Sequence, residues 1–285
     1  MANRRFRVVA LLATYNEERF VAGCVEHLIG QGVEVYLIDN GSTDGTITEA
    51  SPYLGRGLIA IEPLARGREF SLTSILRRKE ALAATIDADW FIHHDADEIR
   101  TAPRPEIPLR DALAEVDAAG YNAVNFLEFV FVPTAEAPDH DHRRFRETMR
   151  HYYLFLPRFP HRLNAWKRQP EPVELAWSAG HEVRFRGLVR YPTSFCMRHY
   201  MFLSADHARR KYGGRIRTAA EEERGWGGWR CAVAQAASAQ GPRLPRQAEL
   251  REYAGGESLD CSDTLTVHPW GEEWARRVRT APGHE

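Results

Sequence analysis

An α/β fold, a mostly parallel sheet flanked by helices, is predicted by three observations on this 285-residue chain. Apolar runs at residues 8–13 and 33–38 are short and near-continuous, the pattern of strands covered on both faces. Segments with helical spacing of apolar residues alternate with such runs. Each run stops in a polar stretch, and in open α/β sheets ligands sit at the carboxyl ends of the strands.

The first strand ends in Thr14-Tyr15-Asn16-Glu17-Glu18. Phe20, Cys24, Val25, Leu28 and Ile29 then recur at helical spacing, and Gly30 and Gly32 end that helix. A second strand over 33–39 closes in Asp39-Asn40-Gly41-Ser42-Thr43-Asp44-Gly45-Thr46. Its glycines allow a tight turn, and Ser42, Thr43 or Asp44 can cap the next helix. Residues 58–62 read as a third strand, and residues 70–86 as a helix carrying the basic run Arg77-Arg78-Lys79. Residues 90–94 read as a fourth strand leading into Asp95-Ala96-Asp97-Glu98. Pro103, Pro105 and Pro108 mark a surface connection before a helix over 109–119 and a long apolar strand over 121–132.

The net charge of −1 supplies no global field for nucleic acid or an anionic membrane, so any phosphate binding is local. Cys24, Cys196, Cys231 and Cys261 lie far apart without a C-x-x-C pair, which fits a reducing compartment and argues against a zinc knuckle. No segment holds the roughly 18 uninterrupted apolar residues needed to cross a bilayer. A cytoplasmic protein is expected, with peripheral membrane association left open.

The acid cluster carries the sharpest chemistry. Three carboxylates within four residues repel one another, and a fold that gathers them at a strand end offers a cation in return. In an extended chain Asp95 and Asp97 point to one side while small Ala96 faces away. Hard oxygen ligands suit Mg²⁺ or Mn²⁺, with positions left for water and phosphate. The polar ends at residues 14–17, 39–42 (including Asn40) and 95–98 are expected to line one crevice. No G-x-G-x-x-G turn follows the first strand, and no G-x-x-x-x-G-K-[ST] loop is present, so an ordinary NAD enzyme and a P-loop kinase are poor readings.

Ala13-Thr14-Tyr15-Asn16-Glu17-Glu18, the stretch from Asp39 to Thr46, and His94-Asp95-Ala96-Asp97-Glu98 together resemble the family 2 glycosyltransferases of the GT-A fold, in that family's order and spacing. The resemblance covers about the first half of the chain. It implies a Rossmann-like sheet that holds a nucleotide-sugar donor, with Thr14, Asn16, Glu17, Asp39 and Asn40 around the nucleoside and Asp95 beside them. It further implies a divalent ion, Mn²⁺ or Mg²⁺, on Asp97 and Asp95. Arg66, Arg68, Arg77 or Arg78 could add positive charge at the donor's diphosphate, and Arg78 is the one assigned to the donor.

The second half is expected to face the acceptor. Ala179-Gly180-His181-Glu182-Val183 resembles the Gly-His-x-Val element of many such transferases. An inverting transferase needs a base within reach of the acceptor hydroxyl, and Glu182 or His181 can serve, with Glu174 and Glu128 in reserve. His199, in Arg198-His199-Tyr200, is the candidate third metal ligand, and Ser204 a helix cap. The histidines of residues 138–144 read as a loop rather than a second metal site. Trp226 and Trp229 read as packing anchors, and Trp270 and Trp274 as part of a docking helix.

The expected organisation is therefore a donor-binding half at 1–135, an acceptor-side half at 136–220 and a helical or lid-like extension at 221–285. The expected function is metal-dependent, inverting transfer of a sugar, hexosyl in type, from a nucleotide diphosphate to an acceptor hydroxyl or amine. Glycan, lipid-linked and small-molecule acceptors all remain open, as does a homo-oligomer. The alternatives are a non-catalytic nucleotide-sugar or glycan-binding protein and a nucleotidyltransferase. The latter commonly carries a glycine-rich loop with a lysine after its first strand, which is missing here.

Overall fold

The structure is a computed structural model that describes residues 5–213, 218–226, 244–255, 259–262 and 264–269. Expectations for Trp229, Trp270 and Trp274, and much of the 221–285 extension, lie outside the described residues. The chain forms two compact units, residues 1–127 with 160–197 and residues 128–159 with 198–285. Neither is a single stretch of chain, so they do not coincide with sequential pieces bounded at 135 and 220.

The first unit alternates as the sequence predicts. Strand β1 (Val8–Thr14) leads to α1 (Val21–Gly30), β2 (Glu34–Asp39), the short α2 (Thr46–Ala50), β3 (Leu58–Pro63), α3 (Leu72–Thr85) and β4 (Trp90–Asp95). After β4 come β5 (Glu98–Thr101), α4 (Leu109–Ala118), the beginning of β6 (Ala123–Phe131) and, after the excursion into the second unit, β8 (Leu163–Lys167). The order across the sheet is β6-β8-β4-β1-β2-β3. Strands β4, β1, β2 and β3 run parallel, and β8 lies antiparallel to both β4 and β6.

Burial explains the uninterrupted apolar runs. Val8 to Leu12 are at most 1% exposed, so residues pointing to either side of this strand are covered. Val9, Leu11 and Ile38 pack with Leu76 and Leu82 of α3 and with Phe91 and Trp166. Each such side chain contributes about 1.5–3 kcal/mol relative to exposure. Helix α3 starts at Ser71, whose hydroxyl accepts from the Ser74 N–H at 3.2 Å.

In the second unit, β7 (His151–Phe155) pairs with the later half of β6, with β10 (Arg251–Glu252) and with β11 (Thr264–Leu265). Short α5 (Phe145–Thr148) precedes β7, and α7 (Ala219–Glu223) follows α6 (Ala205–Tyr212). Ser204 caps α6 as expected, accepting from the His207 N–H at 3.1 Å. Val130, Val132, Tyr153, Met201, Phe202, Ala208 and Tyr212 form this unit's core. Strand β9 (Phe195–Tyr200), like β6, passes from one unit into the other. Within residues 138–144, Asp141 is paired with Arg210 and His140 shares a bond with Thr148 at 2.9 Å. Among the described residues no helix is long and apolar enough to cross a membrane.

Candidate active site at the strand ends

The register of the parallel strands brings three sequence motifs together. Thr14 stands opposite Asp39 on β2, and Ala13 opposite Asp95 on β4. The carboxyl ends of β4, β1 and β2 are thus neighbours, spaced by about 4.8 Å per strand.

Local chemistry fixes each end. Asp39 accepts from the Thr14 hydroxyl at 3.3 Å and from the Ser42 N–H at 3.0 Å, which ties β1 to the turn after β2. Asn16 adopts φ +56, a left-handed conformation that asparagine tolerates better than most residues. Its N–H donates to the Ser42 hydroxyl at 3.0 Å, and its side-chain oxygen accepts from the Thr43 N–H at 2.8 Å. The Glu17 N–H donates to the Thr46 hydroxyl at 2.8 Å. The N-cap of α2 is Gly45 rather than Ser42, Thr43 or Asp44, and Asp44 accepts from the Thr46 N–H at 2.9 Å just before the helix.

At the end of β4, Asp95 has a half-exposed side chain and Asp97 is buried to 8% exposure. Buried Glu98 accepts from the Asp95 N–H at 3.2 Å and from the guanidinium of fully buried Arg100 at 2.7 Å. Arg100 also lies 4.4 Å over the Phe126 ring. The third acid of the cluster is therefore a brace for the turn, inside the protein. Among the described residues no group of three or more His, Cys, Asp or Glu side chains is arranged to hold a metal ion.

Beneath Asp95 lies Lys79, with no exposed surface. Its ammonium contacts His93 Nδ1 at 2.8 Å, donates to the His94 carbonyl at 3.0 Å and sits 3.9 Å from Asp95 Oδ1. Burial pulls its pKa down to about 8, against the opposing pull of Asp95 and Glu98. The neighbouring Glu80 accepts from the Leu175 and Ala176 N–H groups at 2.6 and 2.9 Å, anchoring the turn that carries Gly180, His181 and Glu182. Gly180, at φ +82, packs so closely that a Cβ there would lie 2.7 Å from His93 Nε2. Helix α3 thus holds the acid motif and the Gly-His-Glu segment in one neighbourhood. His181 stacks edge-on with His161 at 5.1 Å, and Glu182 is buried, with its N–H bonded to the Ser178 hydroxyl at 2.8 Å.

His93 and His94 are both held neutral. Burial is the main cause for each, followed by Lys79 for His93 and Arg100 for His94. Asp95 opposes both shifts, Arg162 adds to that on His93, and His27 adds to that on His94. Unfolding exposes two imidazoles that take up protons below about pH 6.5. The unfolded state then binds more protons than the native one, so stability is present above that pH and is lost as the pH falls. The metal-free protein is expected to lose up to about 2.7 kcal/mol per pH unit from this pair. Urea unfolding at about pH 7.5 and about pH 5 checks it, and a midpoint that does not fall would contradict the assignment.

Two arginines lie near the strand ends. Arg78 donates twice to Glu62, at 2.7 and 2.8 Å, and the same carboxylate accepts from Tyr36, while the Arg78 side chain stays partly exposed. Arg66 stands at the strand ends, its guanidinium 3.6 Å over the Tyr15 ring and 3.4 Å from the Asn40 side-chain oxygen. The sequence also carried a sign of Lys79: it shares the apolar stripe of Ile75, Leu76, Leu82 and Ala83.

In the second unit, buried His199 bonds through Nδ1 to Glu128 at 2.6 Å. A carboxylate on one ring nitrogen fixes the tautomer and leaves the other for chemistry.

Among solved structures, the chain is similar to S. aureus TarS in complex with UDP-GlcNAc, with 11% identity, TM-score 0.42, and 81% of this chain and 72% of that one covered. It spans only 36% and 39% of two other TarS chains. Glucosyl-3-phosphoglycerate synthase from Mycobacterium tuberculosis, in complex with Mn²⁺, UDP and glucosyl-3-phosphoglycerate, matches at 19% identity and TM-score 0.30, over 44% of each chain. A UDP-glucose pyrophosphorylase complexed with UDP-glucose matches at 10% identity and TM-score 0.28, over 62% of this chain and 73% of that one. No curated protein matches the sequence. Residues 10–161, more than half of the chain, match the profile described as Glycosyl transferase family 2, and they contain all three strand-end motifs; the chain belongs to that family.

Proposed function

We propose that the protein transfers a sugar, hexosyl in type, from a nucleotide diphosphate to an acceptor hydroxyl or amine, with inversion and with a divalent metal. The observation that carries this reading is the register that sets Thr14, Asp39 and Asp95 side by side. In this reading Thr14, Asn16, Glu17, Asp39 and Asn40 orient the nucleoside. Asp39 keeps acceptor capacity for a ribose hydroxyl or a base N–H beyond its two internal bonds.

Asp95 and Asp97 suit a hard divalent ion, because the pair supplies only carboxylate oxygens and Asp95 is half-exposed. Mn²⁺ or Mg²⁺ held there would neutralise charge on the leaving diphosphate. His199, oriented by Glu128, is the proposed additional ligand. Glu182 or His181 is the proposed base, accepting the acceptor's proton as its oxygen or nitrogen attacks the anomeric carbon. Attack opposite to the departing diphosphate gives inversion.

The test is thermal unfolding with UDP, dTDP, GDP and ADP, each with and without Mn²⁺. A ligand that binds only the native state at about a hundred times its Kd adds about 2.7 kcal/mol. Metal-dependent stabilisation by a diphosphate, lost in Asp97→Ala, is expected. No shift with any of them would sink the reading.

A further inference from the structure

Strand β9 presents two different faces in the second unit. Successive residues of a strand point to opposite sides, so Arg198 and Tyr200 share one side while His199, bonded to Glu128, takes the other. On the Arg198 side, the Tyr200 ring stacks on Phe131 at 4.9 Å and meets Phe145 edge-on at 5.1 Å. Tyr253 stands edge-on to Phe131 at 6.0 Å, and the Arg198 guanidinium lies 5.5 Å from the Tyr253 ring centroid. Arg146, next to Phe145 on α5, is the second cation of this neighbourhood.

Donors and acceptors do not balance here. Tyr200 is 1% exposed, and no group meets its hydroxyl at hydrogen-bonding geometry. Half-buried Arg198 pairs with no carboxylate among the described residues. Burial pushes the Tyr200 phenol up in pKa while Arg198 and then Arg146 pull it down, against Tyr253, so both guanidinium groups lie close to it. A guanidinium only donates, and neither arginine can therefore accept the phenol's proton. A buried hydroxyl without an acceptor is costly, and like charges held together without a counter-charge add to that cost. An anion answers both needs. A phosphate monoester brings close to two negative charges and three strong acceptor oxygens, which suits two guanidinium groups and a phenol better than the single charge of a carboxylate.

We infer that Arg198 and the Tyr200 hydroxyl, with Arg146 beside them, form a phosphate-binding site on the second unit, for inorganic phosphate or for the phosphate group of a small ester. The site uses none of the residues assigned to the donor, the metal or the base, and it stands apart from the transferase reading.

The experiment is calorimetric titration of inorganic phosphate, glycerol phosphate and acetate, without divalent metal, into the full chain and into its Arg198→Ala and Tyr200→Phe variants. One of the two phosphates should bind at least about tenfold more tightly than acetate, and the tighter of them tells free phosphate from ester. Arg198→Ala should weaken it by about 10- to 100-fold, the scale of a charge-assisted hydrogen bond, and Tyr200→Phe by about 3- to 10-fold. Phosphate should also raise the melting temperature of the unaltered protein more than that of either variant. Without phosphate, Tyr200→Phe should melt no lower than the unaltered protein, because it removes only a hydroxyl that no group meets. A hydroxyl that served the fold alone would do the reverse, lowering the melting temperature and leaving affinity intact. That result, unchanged binding in Arg198→Ala, acetate bound as tightly as phosphate, or neither heat nor stabilisation from either phosphate would each overturn the inference.

Discussion

Asp95→Ala combined with Asp97→Ala lowers transfer by about a thousandfold or more and removes any stabilisation that depends on Mn²⁺. The size follows from charge. Departure of a nucleoside diphosphate concentrates negative charge on its outer phosphate, and a bound divalent ion there is worth several kcal/mol. Each 1.4 kcal/mol or so is a factor of ten in rate. Glu98 still braces the turn in the double variant, whereas Lys79 loses the carboxylate that faces it, so stability has to be read alongside activity. Turnover with an authenticated donor, read beside the melting temperature, separates the two effects. Full activity in the double variant would end the metal-dependent reading.

Gly180→Ala is the second large effect, and it falls on stability. The backbone at φ +82 costs an alanine about 1–2 kcal/mol. The new methyl would also meet His93 Nε2 at 2.7 Å and Leu76 Cδ2 at 2.9 Å. Neither gives way easily, because Lys79 holds the far side of the His93 ring at 2.8 Å and Leu76 is wholly buried. Overpacking of this kind adds about 1–3 kcal/mol. Together they lower the melting temperature by roughly 5–15 °C. Gly187→Ala is the control: its φ is +77, but a Cβ would find nothing within 4 Å. It should pay the backbone cost alone. Equal shifts in the two variants would show that contact with His93 does not matter.

Most of the first unit was legible because its signals are local. The continuous burial of residues 8–12, the apolar face of α1 and the polar strand ends are all written in neighbouring residues. The strand-end motifs were legible for the same reason. The pairing of Arg78 was not legible because its partner Glu62 lies 16 residues away on another element. Lys79 was hidden by its neighbours Arg77 and Arg78, which make the run look solvated, although its spacing from Ile75 and Leu76 places it on the buried stripe. What Gly180 packs on was not legible, since that contact joins residues far apart in the chain. The two units were not foreseen either, because burial alone cannot reveal where a strand such as β6 leaves one core for another.

The antiparallel strand β8 has a consequence for synthesis. It pairs along β4, whose last residue is Asp95, yet it is encoded long after it. On the ribosome, at about 5–20 residues per second, β4 waits for several seconds with one edge open. An open edge in an emerging chain invites pairing with its neighbours on the same message. Nascent chains arrested before residue 163 should therefore need a chaperone to stay soluble, and those arrested well past residue 167 should not.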